Sequence, residues 1–186
     1  MTEVVSSADD EFDGFCRREY ASVAGLAFVL TGDWGAAEDL TQDAFFAAFR
    51  RWSELRRYDK PGAWVRRVVA NRAVSRRRRV SSEARALARV GGRRSAPSTY
   101  GQIPQHDLEI SLVIRQLPAR QAQVFALAFV EDLSMAEVAA TLQLSENTAK
   151  THLRRARAAL ASRTDLFDAG PIDHDRPAPP TGSDQP

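Results

Sequence analysis

A single cysteine, Cys16, stands in the whole 186-residue sequence, so no internal disulfide can form and a reducing cytoplasm is the expected setting. Histidines are almost as scarce. His106, His152 and His174 lie far apart and, with one thiol, do not supply a tetrahedral metal site. None of the ten glycines belongs to a phosphate-binding loop ending in Lys-Ser/Thr. No metal, cofactor or catalytic residue is therefore expected, and an enzyme reading starts poorly. Long apolar runs are missing too. The stretch from Tyr20 to Gly32 falls well short of the ~20 apolar residues a membrane span requires, and residues 1 to 13 are acidic where a signal peptide would be basic. Lysine occurs only at positions 60 and 150, so nearly all positive charge is arginine.

That arginine is not spread evenly. Residues 1 to 49 carry two basic side chains against ten acids, residues 50 to 94 sixteen against three, and residues 95 to 186 eight against eleven. The formal net charge of +2 thus conceals a strongly basic block behind an acidic one. A basic block interleaved with Trp52, Tyr58, Trp64 and a run of valines implies a polyanion partner, because disordered basic tails lack such apolar residues.

Apolar spacing of three and four residues runs through most of the chain, no strand alternation survives and no repeat is present, so the expected class is all-α. Two small helical domains joined by a flexible linker are expected, the second containing a helix-turn-helix. Residues 1–10 are read as disordered, 11–80 as the first domain, 81–107 as linker, 108–163 as the second domain, and 164–186, with five of the nine prolines, as a disordered tail. At ~3.3 Å per residue the linker reaches on the order of 90 Å, enough for domains two turns of DNA apart, ~70 Å.

In the first domain a helix is predicted from about Phe12 to Leu30. Asp33 caps a second with a buried stripe of Ala37, Leu40, Ala44, Phe45, Ala48, Phe49 and Trp52, and an acidic face of Glu38, Asp39, Gln42 and Asp43. Pro61 opens a third, burying Trp64, Val65, Val68, Val69 and Ala73. Its basic face and the loop before it supply Arg56, Arg57, Tyr58, Asp59, Lys60, Arg67, Asn71, Arg76 and Arg78 as nucleic-acid candidates. Tyr58, in the loop, is the candidate stacking platform, since single strands need aromatic faces and cations along one groove.

In the second domain, Ser134 with Glu137 forms a capping box for Met135–Leu142, the turn is Gln143-Leu144-Ser145, and Ser145 caps a last helix from Glu146 to about Ala161. Glu146, Asn147, Thr148, Lys150, Thr151, Arg154 and Arg155 lie off its buried stripe, where a major groove would meet them.

These residues resemble a bacterial RNA polymerase sigma factor of the extracytoplasmic-function (ECF) family. The likeness rests on Thr31-Gly32-Asp33 with 37-AEDLTQDAF-45, then 57-RYDKPGAWVRRV-68, and on Leu117-Pro118 with 131-EDLS-134, 137-EVA-139 and 144-LSENTAK-150. The resemblance implies that Glu38, Asp39, Gln42 and Asp43 dock on core RNA polymerase. It implies that the loop and third helix hold the minus-ten element, duplex and melted non-template strand, and that the last helix reads the minus-thirty-five element. An anti-sigma factor is a further partner it allows. The sequence departs from the family at Ser75, where many relatives carry Asp, and at Gln143, where many carry Gly and where a left-handed backbone is expected at some cost. Two readings from other classes are a dimeric LuxR-type helix-turn-helix regulator, which leaves the amino-terminal motifs idle, and an RNA-binding or scaffold protein, which leaves the carboxy-terminal helices idle.

Overall fold

The computed structural model describes residues 3–89 and 105–161, and among these every regular element is a helix. In chain order they are α1 Glu3–Thr31, α2 Trp34–Phe49, α3 Trp52–Leu55, α4 Pro61–Arg89, α5 Gln105–Ile114, α6 Ala119–Phe129, α7 Met135–Leu142 and α8 Glu146–Ala161. No helix among the described residues is long and apolar enough to cross a membrane.

Local chemistry sets the joints. α1 stops at Gly32, whose positive φ of 69° lets its N–H reach the Phe28 carbonyl at 2.6 Å. Asp33 then takes extended backbone, and its carboxylate accepts from the Ala36 N–H at 2.8 Å. So tight a link folds α2 back on α1. Phe12, Phe15, Phe45 and Trp52 pack between them, with Phe15 and Trp52 ring centroids 4.9 Å apart. Phe15 is among the largest fully buried side chains, and cutting such a ring to alanine costs about 3–5 kcal/mol. α4 closes the unit by burying Val65, Val69, Ala70 and Ala73.

The carboxy-terminal unit is built on α6, α7 and α8, with Val124, Leu127, Val138, Leu142, Leu153 and Leu160 inside. Ser134 Oγ accepts from the Glu137 N–H at 3.3 Å while the Glu137 carboxylate accepts from the Ser134 N–H at 3.0 Å, completing the capping box. At the other end of α7, Gln143 sits at φ 55°, ψ 49°, and the Leu144 N–H reaches the Ala139 carbonyl at 2.9 Å. That is a Schellman ending with glutamine in the left-handed position. Ser145 Oγ accepts from the Thr148 N–H at 3.2 Å and starts α8.

Several sequence expectations are corrected. α1 begins at Glu3 instead of near Phe12, because residues 3 to 13 contain no proline or glycine to stop it and acids favour a helix N-terminus. α4 runs on to Arg89, through the first nine residues assigned to the linker. The rest of that segment to residue 104, and the tail after Ala161, lie outside the described residues. A short helix, α3, occupies part of the expected Ser53–Lys60 connection. Phe49 is not buried but half-exposed, and Trp64 is only partly covered. The two units do not stand apart in this structure: α5 and α6 pack on α1, α6 and α7 pack on α4, and one continuous core runs from Phe12 to Leu160.

Replacing Gln143 by glycine removes a left-handed side chain that costs ~1–2 kcal/mol, partly offset by the greater freedom of unfolded glycine. Gln143→Gly is expected to raise unfolding free energy by about 0.5–1 kcal/mol in urea titration; a loss of stability would contradict the assigned turn.

Candidate protein and nucleic-acid interfaces

Helix α2 turns its buried stripe inward and leaves Glu38, Asp39, Gln42 and Asp43 exposed on one ridge. Glu38 accepts from the Trp34 indole N–H at 3.0 Å, and Asp43 pairs with Arg72 of α4 at 2.9 Å. The neighbouring Thr41 is fully buried, its hydroxyl donating to the Ala37 carbonyl, so it supports the ridge without presenting a group on it. Phe46, 64% exposed, and Phe49 extend the same face by further helical turns. Sequence periodicity missed this apolar end of the ridge, since it assigned Phe49 to the core. Two exposed aromatics beside carboxylates fit a partner that offers both cations and apolar side chains.

Helix α4 carries nine arginines and one acid over 29 residues, distributed on separate faces by helical spacing. Arg72, Arg76 and Arg79 line a groove of about 800 Å³ opposite Asp39, Gln42 and Asp43. Arg76, read from the sequence with the minus-ten residues, therefore lies against the acidic ridge and not with Tyr58. The reason is register: four residues beyond Arg72, it shares the α2-facing side.

A second cavity, of about 280 Å³, is lined by Arg51, Tyr58, Lys60, Ala63, Trp64 and Arg67 and closed on its far side by Ala140, Thr141 and Gln143. Arg51 lies over the Trp64 ring, 5.7 Å from its centroid, and is also bound to Glu54 at 2.8 Å. The Tyr58 hydroxyl donates to Glu54 at 2.8 Å. That hydrogen bond, with smaller help from burial, pushes the phenol pKa up, so Tyr58 stays a neutral ring and donor. Two aromatic rings with three cations at one mouth are what an unpaired base and its phosphates require. Of the sequence candidates, the structure brings together Tyr58, Lys60 and Arg67. Arg56 instead pairs with Glu11 at 3.1 Å, Asn71 accepts from Gln123 at 3.0 Å, and Arg57, Asp59 and Arg78 are exposed nearby or further along α4. Arg51 and Trp64 are lining residues that sequence reading did not assign. The arginine at 51 sits before an aromatic-rich turn, but only the fold shows that it covers Trp64.

On α8, Glu146, Asn147, Thr148, Lys150, Arg154 and Arg155 are exposed and Thr151 is half-exposed, its hydroxyl donating to the Asn147 carbonyl at 2.8 Å. Lys150 pairs with Glu146 at 2.9 Å. Ala149, Leu153, Ala156 and Leu160 hold the opposite side against the unit core. The seven candidates thus share one accessible face on a capped second helix of a helix-turn-helix, the arrangement that enters a major groove.

An all-helical chain with an aromatic and cationic pocket beside α4 and an exposed, capped second helix of a helix-turn-helix has the surfaces of a nucleic-acid-binding protein. The family comparisons agree. Residues 15–83 match the profile described as sigma-70 region 2 and residues 107–160 that of sigma-70, region 4. The chain belongs to the sigma-70 family, within its ECF group. Among curated relatives it is 30% identical over 160 residues to the probable RNA polymerase sigma factor RfaY of Xanthomonas campestris, aligning 80% of this chain with 40% of that protein. It is 28% identical over 148 residues to the ECF sigma factor SigW of Bacillus subtilis, covering 73% of this chain and 79% of that one. SigM of Mycobacterium tuberculosis is 26% identical over 163 residues, with 86% and 80% covered. The chain thus spans less than half of RfaY but most of SigW and SigM. In fold it is similar to RpoE of Bartonella quintana, solved with the anti-sigma factor NepR, at a TM-score of 0.63 and 21% identity over 82% of this chain and 95% of that one. CnrH, solved with the cytosolic domain of CnrY, gives 0.58 at 24% identity over 83% and 87%.

Glu137 links the cap of α7 to the pocket, because it accepts from Lys60 as well as from Ser134. The Lys60 hydrogen bond, opposed by burial and assisted by Ser134, holds its carboxyl below the ordinary range. A lowered folded pKa stabilises fully above the unfolded value of about 4.3 and loses that contribution as pH falls through the lowered one. The stability difference between the native chain and Glu137→Gln is expected to be largest near neutrality and to shrink in acid. A constant difference by pH-dependent thermal melts would contradict this.

Proposed function

We propose that this chain binds core RNA polymerase and directs promoter-specific transcription initiation, acting by binding rather than by a chemical step. The observation that carries the reading is the pairing, within one 186-residue sequence, of an exposed acidic and aromatic α2 ridge with a cationic pocket beside it and a free recognition helix beyond. Glu38, Asp39, Gln42 and Asp43 would grip polymerase, an assignment supported by a ridge that cannot itself favour DNA. Tyr58, Lys60 and Arg67 would hold the unpaired minus-ten strand, with Arg56, Arg57, Asp59, Asn71 and Arg78 along its approach. Arg76, facing the ridge, is the member of that set least supported by its position. Glu146, Asn147, Thr148, Lys150, Thr151, Arg154 and Arg155 would read the minus-thirty-five duplex. Opening each base step costs a few kcal/mol, which binding to the exposed strand must return. The cytoplasm is the compartment where these partners meet, and an anti-sigma protein is a coherent regulator because the similar RpoE was solved with the anti-sigma factor NepR. The dimeric LuxR-type reading leaves the region 2 match and the pocket without a role.

The purified chain added to core polymerase should give promoter-dependent transcripts on selected genomic templates without a nucleotide-driven remodeller; absence of any such product would refute the reading. Asp39→Lys with Asp43→Lys is expected to weaken polymerase binding at least tenfold, about 1.4 kcal/mol, with helix content unchanged. Equal affinity would remove the ridge from the mechanism. Lys150→Ala or Arg154→Ala should lower affinity for the upstream element by ~1–3 kcal/mol, measured by fluorescence anisotropy; equal loss on unrelated duplexes would mark these side chains as phosphate contacts.

A further inference from the structure

Glu54 is the one acid of the short helix α3, and its two carboxylate oxygens serve different partners. Oε2 accepts from Arg51 Nε at 3.3 Å and from an Arg51 terminal nitrogen at 2.8 Å, while Oε1 accepts from the Tyr58 hydroxyl at 2.8 Å. Arg51 in turn lies over the Trp64 ring of α4. A continuous bridge, Trp64 to Arg51 to Glu54 to Tyr58, therefore spans the mouth of the cavity from α4 to the loop. Its base is firm. Trp52 and Leu55 are buried beneath it, and the Tyr58 N–H donates to the Leu55 carbonyl at 3.0 Å. The Tyr58 ring is thus tied at its backbone and at its hydroxyl while staying 44% exposed.

Holding the fold together is not what this bridge does. Arg51 and Glu54 are both exposed, and an exposed pair three residues apart contributes little to stability. Fixing a ring before its ligand arrives matters more, because the cost of ordering it then no longer falls on binding. Charge sorts the mouth as well. Lys60 pairs with Glu137 and Arg51 with Glu54, so among the described residues lining the cavity only Arg67 is a cation without a carboxylate partner. Hydrogen bonds from Arg51 first and Tyr58 second hold the Glu54 carboxyl below its ordinary range, so it stays an anion near neutrality. A phosphate is drawn toward Arg67 and repelled from Glu54, whereas an uncharged base meets no such penalty beside Tyr58.

We propose that Glu54 is a positioning residue for the minus-ten strand: through its hydrogen bond from Tyr58 and its pairing with Arg51 it presents the tyrosine ring to one unpaired base and turns the adjoining phosphate toward Arg67. This rests on the functional reading above and deepens it by naming a residue that decides whether a base, and not backbone, enters beside Tyr58.

The test uses the full chain in complex with core polymerase, on premelted bubble fragments drawn from the genomic templates above. A fluorescent adenine analogue, whose emission falls when it stacks on an aromatic ring, is placed in turn at each unpaired non-template position. The native chain should quench it at one position, and an abasic site there should lower affinity about tenfold. Glu54→Ala should abolish the quench and cut the abasic effect to about twofold or less, yet leave affinity for unrelated single strands equal or higher, since a negative charge is gone. A purely structural role would lower every affinity together. Tyr58→Phe, which keeps the ring and loses only the donor, should weaken the quench too, and the double variant should be no worse than Glu54→Ala, because both act through one hydrogen bond. Quench and abasic effect unchanged in Glu54→Ala, or in Tyr58→Phe should the first variant fail to fold, would overturn the positioning role. No quench at any position by a native chain that still drives promoter-dependent transcripts would overturn the role and leave the function standing. Quench and its loss as expected, with no transcript from any template, would support the role and refute promoter-directed initiation.

Discussion

Mutual repulsion along α4 is the constraint around which the molecule is arranged. Nine arginines on one 29-residue helix cannot be left beside one another without counter-charges or solvent, and the fold deals Arg66, Arg67 and Arg72 to separate sides. Arg72 meets Asp43 of α2, Arg66 meets Glu19 and Glu131, and Arg67 opens onto a cavity with Tyr58 and Trp64. Each counter-charge belongs to a different neighbour. The acidic amino-terminal block of the sequence thereby becomes a structural partner of the basic block while its outer edge, Glu38, Asp39 and Gln42, stays exposed.

Function follows from which of those arginine contacts are replaceable. An exposed pair such as Arg72–Asp43 contributes about 0–1 kcal/mol and can be exchanged for a partner's side chain. The Arg66 cluster is withdrawn from water and resists such exchange singly, so it ties α1, α4 and the turn before α7 together and offers no surface. Between these extremes lies Lys60, held by Glu137 but 67% exposed, a cation that a phosphate can compete for.

Much of this arrangement was legible where the physics is local. The caps at Asp33, Ser134 and Ser145, the proline that opens α4, and the limits of α7 and α8 all depend on residues within four positions of each other, and the left-handed turn at Gln143 follows from the same short-range chemistry. The acidic ridge was visible because helical spacing places Glu38, Asp39, Gln42 and Asp43 off the apolar stripe. Contacts over long separations were not. Glu131 reads as a loop acid, and nothing near it in sequence announces Arg66, 65 residues earlier. Phe46 and Phe49 are apolar by type, and periodicity cannot say whether the surface covering them belongs to this chain or to another. Gln123, a polar side chain inside the apolar run Ala122 to Phe129, is buried against Ala70 and Asn71, and its type alone does not name the groups it bonds.

The central claim is that the Tyr58 pocket receives unpaired promoter strand in the assembled transcription complex. Photocrosslinking from a benzoylphenylalanine placed at Tyr58, in a complex of this chain with core polymerase and an open promoter, tests it most directly. The account requires crosslinks to the non-template strand within the minus-ten element, appearing as the promoter melts. Crosslinks confined to upstream duplex, or to polymerase with no DNA adduct, would contradict it.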